Sequence, residues 1–161
     1  MSQRAKDLAE RLWKFNDEVV AFVERCSEED LRKVCTFEDW SVGVTARHIG
    51  AGHYNIIGLV KMIINGEKFP GITGEQVNRN ANEHAREHAD CTKPEILDVL
   101  HKGGHALIGF VGALDDSQLN QSALISMMGK DMTAREFLET VVLFSAGEHF
   151  KNMRAAAASG S

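Results

Sequence analysis

Residues Thr92–Leu114 read TKPEILDVLHKGGHALIGFVGAL, and their spacing predicts an α-helix. Thr92 followed three residues later by Glu95 is a capping box, in which each side chain satisfies a backbone N–H at the helix start. Pro94 is tolerated in that first turn, where its missing N–H costs no intrahelical bond. Beyond the cap, Leu97, Leu100, Gly104, Leu107, Val111 and Leu114 recur every three or four residues, the period of one helix face. A helix of this length with a single apolar face needs other helices to cover it.

The rest of the chain supplies them. Leu8, Leu12, Phe15, Val19, Phe22 and Val23 give a first amphipathic helix from Ser2 to about Arg25. Ser27 caps a short turn of helix, and the connector 34–39 leads to Trp40. Ser41 caps a second long helix, Val42–Asn65, with Gly66 as its stop. After a loop at Gly66–Gly74, Thr73 and Gln76 form a second capping box, opening a polar helix that ends near Ala89. Asp115–Ser117 closes the helix read first, and a loosely structured stretch runs through Gly129. Thr133 and Glu136 form a third box and start the last long helix, which carries Ala134, Leu138 and Val141 on one stripe. No stretch alternates as a strand between hairpin turns, so no sheet is expected. The expected fold is all-α: a four-helix bundle with short extra helices in the connections, one domain over 1–158, and a frayed tail at 159–161.

Composition narrows the function. A formal net charge of −5 and the lack of a basic stripe argue against a nucleic-acid partner. No apolar run is long enough for a membrane span, and the polar N-terminus does not resemble a signal peptide. Cys26, Cys35 and Cys91 are an odd number without C-x-x-C spacing, which fits a reducing cytoplasm. A homodimer through the exposed apolar and glycine-rich surface of the first two helices is expected from the frequency of cyclic dimers. Nine glycines (43, 50, 52, 58, 103, 104, 109, 112 and 147) lie inside the predicted long helices. Each costs about 1 kcal/mol against alanine, so they imply close backbone contact, the commoner role, or room left for a small-molecule ligand.

Seven histidines invite a metal reading, since neutral imidazole is a common ligand. His84-Ala85-Arg86-Glu87-His88 matches a zinc-protease pattern. Its neighbours Asn80, Asn82, Glu83 and Arg86, however, mark a solvated helix instead of a pocket wall. His101 and His105 lie beside the core stripe of their helix. His53 follows His48 by five residues, about 140° round the helix, and cannot readily share an ion with it. Ser145 and His149, four apart, look the same way and continue the apolar stripe of the last helix with polar groups. His48 is the candidate to face them across the bundle.

At these residues the sequence resembles the DinB-like superfamily, which includes mycothiol-dependent maleylpyruvate isomerases and bacillithiol S-transferases. The matching pieces are Trp40-Ser41-Val42 with His48-Ile49, Ile64-Asn65-Gly66, the polar helix around Asn80, and Gly147-Glu148-His149-Phe150 with Met153 and Arg154. The resemblance implies a four-helix bundle holding a divalent ion, zinc or nickel, and chemistry on a low-molecular-weight thiol. An ion of that kind makes a bound thiol into a thiolate or activates water. His48 and His149 are then the metal ligands, with Trp40, Ser145 and Glu148 the cofactor-binding residues. The family's middle ligand falls on Ser145, whose neutral hydroxyl is a weaker donor than imidazole or carboxylate. Glu148 is the substitute at hand, about 100° round the helix from His149. Two readings follow: a metal-dependent thiol transferase or related enzyme with an incomplete metal site, or a non-catalytic bundle that binds a small molecule without the ion.

Overall fold

The structure, a computed structural model, describes residues 2–160. Four long helical elements form the bundle: α1 (Gln3–Arg25), α3 (Val42–Ile64), α5 (Lys93–Gly112) and a composite last helix. The composite begins as α7 (Ala134–Leu138), passes through a π-helical segment Glu139–Ala146, and ends as α8 (Gly147–Ala158). Helix α5 packs between α1 and α3, and α8 packs on α3. Phe150 of α8 closes the ring by meeting Phe15 and Phe22 of α1 edge-on, with centroids 6.2 and 5.6 Å away. The short helices α2 (Glu28–Arg32) and α6 (Asp116–Asn120) and the polar helix α4 (Gly74–Glu87) occupy the connections.

The expected caps are present. Ser27, Ser41, Thr73, Thr92 and Thr133 each accept from a backbone N–H at the start of a helix, and Ser2 does the same for α1. Gly66 has φ 68°, the left-handed conformation that ends α3. The expected tail lies partly outside the described residues; Ser159 donates back to the Ala156 carbonyl.

Two expectations need correction. Asp115 does not merely end α5: it caps α6, with Gln118 completing a further capping box. The stretch read as loose, and the chain as a whole read as free of sheet, contain two small antiparallel ladders. One pairs β1 (Val34–Cys35) with β2 (Trp40–Ser41), and the other pairs β3 (Ser122–Ile125) with β4 (Lys130–Thr133). The second escapes a hydropathy reading because Leu124 points to solvent at 61% exposure while Ile125 and Met132 are buried. A 3₁₀ turn at Ser126–Met128 and Gly129, φ 67°, close it.

The core divides into two clusters. Leu8, Leu12, Val60, Leu107, Val111 and Leu138 belong to one, and Val19, Val23, Ile49, Leu100, Phe150 and Met153 to the other. Between them on α1 and α3 sits a buried polar pair, Asn16 and His53. In α5 the inward position is Ile96, fully buried, with Leu97 only partly so. The reading of close backbone contact holds at two of these glycines. A Cβ on Gly50 would lie 2.9 Å from the Leu100 backbone nitrogen, and one on Gly103 would strike the Gly50 carbonyl. These positions let α3 and α5 touch. Gly52, Gly58, Gly109 and Gly147 instead face open space.

Candidate functional site

The site forms where the start of α3 meets α8. Ser41 Oγ accepts from Val44 N at 3.1 Å and fixes the first turn of α3, so that His48 comes inward two turns later. The turn before β2 is held by Asp39 at φ 59°, with Asp39 N donating to the Cys35 carbonyl at 2.9 Å. That turn drives Glu38 into the bundle, leaving its side chain 7% exposed. Glu38 Oε1 accepts from His149 Nδ1 at 2.8 Å and from Asn152 Nδ2 at 2.7 Å. Its Oε2 is buried with no partner among the described residues.

Trp40 stands over this group. Its indole lies 5.0 Å from the His48 ring and stacks at 6.2 Å on His149, and the two imidazoles are 5.4 Å apart and perpendicular. Trp40 Nε1 donates to Asn82 Oδ1 at 2.9 Å, tying α4 to the site. Helix α4 also brings His84 to 6.3 Å from His48, where Arg47 Nη1 donates to His84 Nε2 at 2.8 Å. Burial, reinforced by His149 and His84, holds the His48 pKa down at about 4, so its imidazole is neutral at pH 7. Burial likewise lowers that of His84, with His88 and Arg47 adding to the effect.

Beside these groups lies a cavity of about 320 Å³. Gly52, Phe69, Phe137 and Val141 form its apolar wall, and His48, Ser145 and His149 its polar end. The structure thus brings together His48, His149, Ser145 and Trp40. It does not bring in Glu148, which is exposed. The π-helical segment ends at Ala146, immediately before α8, and such segments are frequent at functional sites.

Glu38 and His84 were missed by sequence reasoning. Glu38 sat in what read as a connector; its only signal is its position two residues before Trp40. His84 was set aside as solvated. Yet Ala81, His84, Ala85 and His88 recur at helical spacing, and these are the residues of α4 and its C-cap withdrawn from solvent. Cys26, Cys35 and Cys91 are free thiols, each with its pKa raised chiefly by burial.

This fold, with paired histidines beneath a tryptophan at one end of the bundle, defines a DinB-like protein. The family model of the mycothiol maleylpyruvate isomerase N-terminal domain matches residues 12–142, and the chain belongs to that family. No curated protein and no solved structure matched it. The family match stops before Ser145 and His149.

The donor set here does not fit the tightly held divalent ion that the family implies. Catalytic zinc sites draw three ligands from the protein. His48 and His149 supply two. Ser145 offers a neutral hydroxyl, and Glu148 is exposed. Glu38 Oε1 already accepts from two donors, and its unpartnered Oε2 does not complete a group of three placed to hold an ion. The lone pair of His84 Nε2 is taken by Arg47, whose charge opposes a cation there. Among the described residues no group of three or more His, Cys, Asp or Glu is placed to hold an ion.

Proposed function

We propose that the chain binds a small, largely apolar molecule in the 320 Å³ cavity, with the ligand's polar end on His48, His149 and Ser145. The observation that carries this reading is a mostly apolar cavity wall bearing a few polar side chains, among them His48, Ser145 and His149, the usual make-up of a small-molecule site. His149 is oriented for the task, because its Nδ1 proton is committed to Glu38. Titrating ¹⁵N-labelled protein with small aromatic fragments tests it. Shifts confined to amides around Gly52, Phe69, Val141 and Ser145 support the reading, and saturable shifts elsewhere refute it. The setting proposed is cytoplasmic. Among the described residues no helix is long and apolar enough to cross a membrane. Self-association is proposed through the exposed surface of α1 and α3, where Trp13 and Tyr54 are 55% and 51% exposed; light scattering from a monomer at micromolar concentration would remove it.

A second reading is the metal-dependent thiol chemistry of the family. One observation favours it: a histidine that gives its other N–H to a carboxylate, as His149 does to Glu38, is the usual form of a metal-ligating histidine. Elemental analysis of natively purified protein separates the two. Near-stoichiometric zinc or nickel surviving dialysis would favour the second, whereas weak, chelator-labile occupancy supports the first.

A further inference from the structure

Three adjacent stripes of α3 face two different spaces. Ile49, His53 and Ile56 belong to the wall of the 320 Å³ cavity alone. Ala51, Tyr54 and Gly58 line only a second space, a groove of about 650 Å³ between α3 and α4. Midway between these stripes, about 100° round the helix from each, run His48, Gly52, Asn55 and Leu59, which line both spaces. Ile72 and, in the first turn of α4, Val77 line both as well. The middle stripe of α3 is therefore a ridge between cavity and groove.

The ridge has one gap. His48, Asn55 and Leu59 raise side chains along it, and Gly52, between the first two, has none. A Cβ at Gly52 would meet nothing within 4 Å, so no neighbour requires a glycine there. Gly50 differs, because the Leu100 backbone leaves it no room for a side chain. Glycine is the poorest helix former after proline, so Gly52 weakens α3 for a reason that packing does not supply. The charge of the two spaces is as plain as their shape. No Lys, Arg, Asp or Glu lines either of them among the described residues. An ionic group placed there would lose water without meeting an opposite charge. Tyr54, Asn55 and Asn80 give the groove hydroxyl and amide groups instead.

We infer that the ligand is an elongated, uncharged molecule that crosses α3 at Gly52, with one end in the cavity and the other in the groove. The inference rests on the reading of the cavity as a binding site and adds the length and charge of its occupant. The apolar end lies against Phe137 and Val141, and the outer end lies beside Tyr54 and Asn80.

Three fluorescent probes test this: naphthalene, N-phenyl-1-naphthylamine, and 8-anilinonaphthalene-1-sulfonate, which is the second skeleton with an added anion. N-phenyl-1-naphthylamine should bind the wild type at least about tenfold tighter than either of the others, because its second ring is buried and it carries no charge. It should shift the amides of Ala81 in the groove and Val141 in the cavity, whereas naphthalene shifts Val141 alone. Gly58 lines the groove only, and a Cβ there meets nothing within 4 Å. Gly58→Leu should therefore fold, weaken N-phenyl-1-naphthylamine at least about tenfold, and leave naphthalene within about twofold. Gly52→Ala should raise the melting temperature yet weaken N-phenyl-1-naphthylamine at least about threefold, a pairing that a purely structural glycine would not give. If the longer probe shifts the cavity amides alone, is unmoved by Gly58→Leu, or binds no better than its sulfonate, the inference falls and the cavity reading stands. Binding of none of the three overturns both.

Discussion

His149 donates its Nδ1 proton to the buried carboxylate of Glu38 at 2.8 Å, joining residues 111 positions apart in the chain. The bond joins the turn before β2 to α8 and decides which nitrogen of His149 is left for the cavity. Because the same oxygen accepts from Asn152, one carboxylate organises two side chains of α8.

Glu38→Leu should therefore destabilise the fold by about 2–3 kcal/mol, since two partly buried donors lose their acceptor. Glu38→Gln keeps an oxygen for them and should cost less than about 1.5 kcal/mol. Urea denaturation of both variants checks the ordering. Equal losses would mean that the acceptor oxygen is not what holds α8 in place.

The glycines divide into two classes with opposite predicted signs. Gly103→Ala drives a methyl into the Gly50 carbonyl, and backbone cannot step aside; a loss of about 3 kcal/mol or more is expected, at the upper end of overpacking costs. Gly109→Ala has nothing within 4 Å of the new methyl and should gain about 0.5–1 kcal/mol from helix propensity. Thermal melts of the two variants should move in opposite directions. A destabilised Gly109→Ala would show that open space at that position serves another purpose.

What the sequence could convey follows the range of each signal. Capping boxes at Thr73, Thr92 and Thr133 span four residues and were legible as they stand. The stripe through Leu100, Leu107 and Val111 placed α5 because burial recurs at the helical period. Glu38 is different in kind: nothing within ten residues of it names His149 as its partner, and only the turn at Asp39 brings them together. The β3–β4 ladder was hidden for a local reason, since one strand exposes Leu124 and the other begins with Lys130-Asp131. His84 was legible in principle through Ala81, Ala85 and His88, but the charged neighbours outweighed that stripe.

Stability should fall as the solution is acidified below neutrality. His48 and His53 are both held at about 4 by burial, against an ordinary 6.5. Between those values the unfolded chain binds protons that the native chain does not, so stability rises with pH across the window. It is complete above about pH 6.5 and is lost as pH falls through about 4, at about 1.4 kcal/mol per unit for each group. Urea midpoints measured from pH 7 down to pH 4 should trace this decline, and His53→Phe should remove about half of its slope. A midpoint constant over that range would sink the assignment of both histidines as buried neutral bases.

The last prediction turns on Ser145. His48 and His149 stand 5.4 Å apart with their rings perpendicular, and Ser145 shares their cavity. Two imidazoles and a hydroxyl make a poor zinc site, whereas three imidazoles make a good one. Ser145→His would set a third imidazole one turn from His149, and the open space beside Gly52 and Gly147 leaves room for it. Zinc or nickel affinity should then rise by at least about a hundredfold, and His48→Ala in the same background should abolish the gain. Glu38→Gln in that background should lower affinity by about tenfold, because the carboxylate that orients His149 is lost. Calorimetric titration of the wild type and the three variants reads all of these directly. A folded Ser145→His protein that binds metal no better than the wild type would mean that position 145 is not the missing ligand, and that His48 and His149 face one another for the cavity's ligand alone.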